Sequence, residues 1–328
     1  MKHSQRRAAT AAAILFTLCA SLAASPAAAQ TYPAKPIKVM VPFAAGGVAD
    51  ITARVLSQRV SETIGQQMLV ENRPSAGGIA ASEAVAKADP DGYTLLLVSN
   101  GTAVSASLFR TLPYDTLKDF AGVSTAGFFD IGVFVGPDSN INNVRDLIAF
   151  AKANPNKLSV GTINIGSTQH LSGELFKSMA GIDVQIVPYK ATPAVITALR
   201  GGEIQVAFEI LAPVMAQVKS GALKAIGVAS EHRFAGLSTV PTVMESGLPG
   251  YQASSWNGIS APAKTPRPVI DRLNREIVAA LATPAVRQRL FDLGVEAKSS
   301  TPEALQALLT SEITKWGGVI ERARIEKQ

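Results

Sequence analysis

Cysteine is nearly absent from this chain of 328 residues: the only one, Cys19, lies in an apolar stretch near the start. A disulfide scaffold is therefore excluded. Histidine is scarce too, and beyond the first 29 residues only His170 and His232 remain, too far apart for a zinc-binding spacing. The sequence has no G-x-S-x-G elbow, no G-x-G-x-x-G turn, no Lys-terminated phosphate loop and no Lys/Arg run. Hydrolase, nucleotide and nucleic-acid functions thus find little footing. Ser167 has no base and orienting acid that the sequence can assign to it. Charged residues make up only 17% and apolar ones 47%, the reverse of a disordered composition. At roughly 150 residues per domain, the length suits about two domains, each with its own core.

The first 29 residues read as a secretion signal. Lys2, Arg6 and Arg7 precede an uncharged stretch from Ala8 to Ala24, and Ala27, Ala28 and Ala29 offer small residues for cleavage before Gln30. After Ser21 the stretch decays into Ala, Ser and Pro, which is poor for spanning roughly 30 Å of hydrocarbon. Leu18 before Cys19 does not fit a lipoprotein signal, so the expected product is a soluble, exported, cysteine-free protein. Its 28 cations against 25 anions leave a net charge of +3, too mild to imply nucleic acid.

From Tyr32 onward, short apolar runs alternate with helical stripes. Strands are predicted at Ile37–Val41, Met68–Glu71, Thr94–Ser99, Gly132–Val135, Leu158–Thr162, Gln185–Pro188, Ile204–Phe208 and Leu223–Ala229. Most are apolar on both faces, as parallel strands covered by helices must be. Stripes such as Ile51, Val55, Val60, Ile64 and Leu171, Leu175, Met179 mark helices between them. The last 60 residues or so read as three helices, the third capped by Thr301 with Pro302 in its first turn. Lacking strands of their own, they must cover a sheet made earlier. The fold class is therefore α/β, with a wound sheet in each of two lobes, the first discontinuous: 30–130 with 254–328, and 131–253 for the second.

Helix starts are where a ligand would be held. Pro42-Phe43-Ala44-Ala45-Gly46-Gly47 joins the first strand to a helix beginning near Ala49, and its glycines let backbone N–H groups approach an anion. The same glycines also suit a tight turn with no ligand. Gly166-Ser167-Thr168 and Tyr189-Lys190-Ala191-Thr192-Pro193 repeat the arrangement, with Thr192 as a natural cap, and Gly77-Gly78 opens another helix. In wound sheets such loops gather beyond the carboxyl ends of the strands. Asp50 either pairs with Arg54 one turn on or meets the ligand. Lys190 is a solvated loop charge or a counter-ion at the cleft mouth. His170 reads as a packed helix residue, and His232 as exposed. Trp256 and Asn257, placed at the return crossing between lobes, offer an apolar wall and an amide, or simply core.

Taken in order, YPAKPIKVMVPFAAGGVADITAR, GQQMLVENRPSAGG, ADPDGYTLLL, LPYDTLKDFAGV, IGSTQHLSGELFK, VPYKATPA, VPTVMESGLPGYQASSWNGISAPAKTP and SEITKWGGVIERARI resemble the Bug family. These are extracytoplasmic solute receptors of tripartite tricarboxylate transporters, and the resemblance runs from about Tyr32 to Ile325. It implies a two-lobed periplasmic binding protein of type II-like architecture, which closes on a small carboxylate and presents it to membrane permease subunits. By this likeness Phe43, Ala45, Gly46, Gly47 and the loop Ser99, Asn100, Gly101 supply one half of the pocket. Gly166, Ser167, Thr168, His170, the Tyr189–Thr192 loop with Lys190, and Glu209 supply the other. Family members often carry Gly where Ala191 stands and Asp where Glu209 stands, so the distal end of the pocket differs here. No cofactor is needed, since capture and release require only different affinities in open and closed states, and a monomer is expected. Service to a sensor in place of a transporter, and an exported α/β hydrolase, are the competing readings.

Overall fold

The computed structural model describes residues 32–328; the expected secretion signal, with Cys19, lies outside them. Eleven strands form two sheets among the described residues. In the first, β1 (Ile37–Val41) lies between β2 (Met68–Asn72) and β3 (Thr94–Ser99), all parallel. Strand β10 (Ser255–Pro262) then runs antiparallel between β3 and β4 (Phe120–Phe129), and β11 (Val295–Ala297) edges β4. In the second sheet β6 (Ser159–Ile163) is parallel to β7 (Gln185–Tyr189) and β8 (Val206–Ile210). Strand β5 (Ile131–Val135) runs antiparallel between β8 and β9 (Lys224–Val228).

The eight predicted strands all form, within two residues at each end. Three were missed, and parallel pairing does not hold throughout. The physical reason is composition. Strands β4 and β10 are almost wholly buried yet built largely from Gly, Ser, Thr and Ala, so neither β-branched enrichment nor alternation marks them. Small residues are needed there because helices press close: a Cβ on Gly122 would lie 2.7 Å from Pro302 O, and one on Gly258 2.9 Å from Leu305.

Ten α-helices join or cover the strands among the described residues: α1 (Val48–Ile64), α2 (Ile79–Ala86), α3 (Asn100–Leu108), α4 (Val144–Ala153), α5 (Thr168–Ala180), α6 (Thr192–Arg200), α7 (Leu211–Lys219), α8 (Arg267–Ala282), α9 (Pro284–Asp292) and α10 (Pro302–Arg322). The three last helices form as expected. Thr301 caps α10 by accepting from Ala304 N at 3.1 Å, and Leu305, Leu309, Trp316, Val319 and Ile320 turn inward. Helix α10 packs on α3 and β4 of the first sheet and touches α5 beside the second. None of the described helices is long and apolar enough to cross a membrane.

Candidate functional site

The carboxyl ends of β1, β3 and β6 lead into loops that gather around one cavity of about 510 Å³. Pro42, Phe43, the Ser75–Gly78 turn, Ser99, Gly101, Thr102 and Ser105 line it from the first sheet. Ile163, Asn164, Ile165, Gly166 and Ser167 line it from the second. Phe43, Val104, Leu108, Phe109 and Ile165 give it apolar walls between polar helix starts. Of the sequence-predicted residues, Phe43, Ser99, Gly101, Gly166 and Ser167 are thus brought together.

Two serines shape the helix starts. Ser99 is the N-cap of α3: its hydroxyl accepts from Gly101 N at 3.1 Å, and its own N–H donates to Thr102 Oγ1 at 3.1 Å. Ser167 caps α5 by accepting from His170 N at 3.1 Å while donating to Ile163 O at 2.8 Å. First-turn amides of both helices lack intrahelical acceptors and carry partial positive charge. Gly166 sits at φ +81°, where a side chain is strained, and a Cβ there would come within 2.5 Å of Leu108 across the gap between the sheets.

The Pro42–Gly47 turn behaves differently from its expected role as an anion cradle. Gly46 N donates to Asp50 Oδ2 at 2.9 Å, so this amide is taken by the protein's own carboxylate. Asp50 also accepts from Arg54 Nε at 3.1 Å and Asn72 Nδ2 at 2.8 Å, and Asn72 Nδ2 reaches Phe43 O at 3.0 Å. Burial pushes the Asp50 carboxyl upward, but the guanidinium and N–H donors outweigh it and hold its pKa below the usual value. The expected pairing with Arg54 forms, and the acid's oxygens are filled. Ala45, Gly46 and Gly47 are exposed beside the cavity and do not line it.

The other predicted residues are also displaced from the cavity wall. Asn100 and Thr168 hydrogen-bond to each other, Asn100 Nδ2 to Thr168 Oγ1 at 2.8 Å. His170 is buried, with its Nδ1 accepting weakly from Gly166 N at 3.4 Å, and burial lowers its pKa to about 4, so it is neutral. Lys190 is exposed. Glu209 is 1% exposed, and its Oε2 accepts from Thr192 Oγ1 at 3.0 Å and Gln169 Nε2 at 3.3 Å. Its Oε1 has no partner, and burial drives its pKa up to about 7 against those two bonds. Thr192 is therefore not the cap of α6, as its place in the loop suggested. Ala191 occupies that position, and the hydroxyl is turned to Glu209 instead. Trp256 and Asn257 lie inside β10 and not in a crossing loop; both are buried, and neither the indole N–H nor the amide finds a partner.

Sequence reasoning missed the α3 face of the cavity. Ser105 Oγ donates to Gly77 O at 2.9 Å, tying the Ser75–Gly78 turn to α3. The Ser99/Thr102 spacing was the available signal for that helix. No group of three or more His, Cys, Asp and Glu side chains is placed to hold a metal ion among the described residues.

Known proteins share this sequence and fold. Residues 52–325 match the model of the tripartite tricarboxylate transporter family receptors. BugT of Bordetella pertussis is 36% identical over 308 residues, 93% of this chain and 94% of that protein. The solved periplasmic binding protein BugD is 33% identical with a TM-score of 0.75, covering 90% of this chain and all of that one. An R. palustris protein solved with adipate is 32% identical with a TM-score of 0.77, covering 90% of this chain and 99% of that one. With the match spanning nearly all of the described residues, the chain belongs to the tripartite tricarboxylate transporter receptor family, whose members are periplasmic solute-binding proteins and not enzymes.

Proposed function

We propose that the protein is exported by cleavage of residues 1–29, captures a small carboxylate in the cavity between its two sheets, and delivers it to the membrane permease subunits of a tripartite transporter. The observation that carries this reading is the facing of two serine-capped helix starts, α3 from the first sheet and α5 from the second, across one cavity. The first-turn amides that the two serines do not cap, with the partial positive charge of both helix starts, favour a carboxylate without an Arg clamp. The apolar walls suit a carbon skeleton between polar ends. The adipate bound by the R. palustris relative supports the same ligand class. The lobes in this reading are 30–130 with 254–328, and 131–253, and they close about the crossings at Asp130 and Ser254.

The test is to unfold and refold the mature protein, which removes carried-over solute, and then to follow thermal unfolding with aliphatic di- and tricarboxylates and aromatic acids. A ligand at a thousand times its Kd is expected to stabilise by about 4 kcal/mol. Equal stabilisation by the uncharged diamide of the best acid, or no stabilisation by any acid, would overturn the reading.

A further inference from the structure

We infer that Trp316, which does not line the cavity, is the positioning residue for a latch between the two halves: it orients the Asn100 amide so that its N–H group reaches Thr168. The inference rests on the proposed closure of the lobes around a ligand. Trp316 is fully buried on α10, and its Nε1 lies 2.6 Å from Asn100 Oδ1 and 2.6 Å from Glu312 Oε2. An indole N–H can only donate, so the atom of Asn100 that faces it must be the carbonyl oxygen. The NH₂ is thereby aimed the other way, at Thr168 Oγ1, 2.8 Å distant. Thr168 in turn lies 3.4 Å from Ser255 Oγ, at the start of β10.

Asn100 begins α3, which follows β3 of the first sheet, and Thr168 begins α5, which follows β6 of the second. Their hydrogen bond is a side-chain tie from one half to the other, at the two helix starts that flank the cavity. Without Trp316, nothing fixes which end of the Asn100 amide faces Thr168, whose hydroxyl can donate to Oδ1 as well as accept from the NH₂, so the contact loses its single geometry. With it, the donor is preset, and less ordering is left to closure. Glu312 shares the indole proton, takes Lys315 Nζ at 3.0 Å on its other oxygen and makes no hydrogen bond to Asn100.

The experiment uses the mature protein with Glu62→Cys and Lys152→Cys, both exposed positions, carrying nitroxide labels whose separation is measured by pulsed dipolar spectroscopy without ligand. Trp316→Phe is expected to reduce the short-distance population about threefold or more. Thr168→Val, which keeps the shape of the side chain and removes the hydroxyl that pairs with Asn100 Nδ2, is expected to do the same, and the two together no more than either alone. With adipate as probe, each single variant raises the Kd about threefold to tenfold. Glu312→Ala leaves both readouts near the parent. Independent, additive effects of Trp316→Phe and Thr168→Val, an unchanged distance distribution, or a Glu312→Ala variant that mimics Trp316→Phe would overturn the latch. Expected distances with no stabilisation by any acid would overturn the ligand reading and leave the latch standing.

Discussion

Asp50 and Glu209 are two buried acids beside the same kind of feature, a strand leading into a helix, and they are held in opposite ways. Asp50 receives donors from Gly46, Arg54 and Asn72 and stays ionised. Glu209 receives only neutral donors, from Gln169, Thr192 and the Ile210 backbone, and burial pushes its pKa up to about 7. The difference teaches that burial alone does not decide an acid's charge or its use. A saturated carboxylate is a fastener for its turn, whereas one held by neutral donors alone retains capacity to donate or accept.

The largest effect is expected at Asp50. Asp50→Ala removes the acceptor shared by Gly46 N, Asn72 Nδ2 and Arg54, leaving Asn72 only Phe43 O and freeing Arg54, whose side chain is half exposed and can rehydrate. A loss of roughly 2 kcal/mol is expected in denaturant unfolding; an unchanged midpoint would show that the network holds nothing together. Glu209→Gln tests the other side. Between the ordinary value of 4.5 and about 7, the folded protein holds a proton that the unfolded chain has released, so stability falls as pH rises through that window. Gln keeps the acceptor for Thr192 and cannot ionise. The variant should therefore gain roughly 1–2 kcal/mol at pH 8 and little at pH 4.5, read from thermal melts; equal shifts at both would refute the ionisation account. The smallest effect is at Gly46→Ala. A Cβ there meets nothing within 4 Å, but φ is +86°, so about 1 kcal/mol of backbone strain is expected, seen as a small drop in Tm.

Much of the fold was legible because it rests on local regularities. The Ile51–Ile64 stripe, the Thr301–Pro302 start and the short apolar strands each announce themselves through periodicity or capping chemistry. Strands β4 and β10 were not legible, since a strand assembled largely from small residues owes its place to helices pressed on it from far along the chain, and β11, only three residues long, is too short to show a pattern. The same holds for the site. The helix starts at Ser167 and at Gly46 could be read from turn chemistry, but whether their amides face a ligand or an acid of the protein itself is a tertiary matter. Nothing local separates Asp50, held by three partners, from Glu209, or tells that Trp256 lies within a strand. Asn100 was readable as a polar loop residue, yet its orientation is set by an indole more than two hundred positions away.

The two passages between the sheets have their own consequence. Strand β4 ends at Phe129 and β5 begins at Ile131, with Asp130 alone between them. Beside it the returning chain is stitched in, Ala253 N donating to Ala229 O at 2.8 Å and Ala229 N to Ile131 O at 2.8 Å. Rotation of one sheet against the other is thereby confined to a few peptide planes in neighbouring rows, with no slack tether to wander. A closure of the proposed kind would turn on peptide groups that backbone hydrogen bonds already hold in register, so none of the free energy of capture need be spent on ordering a tether.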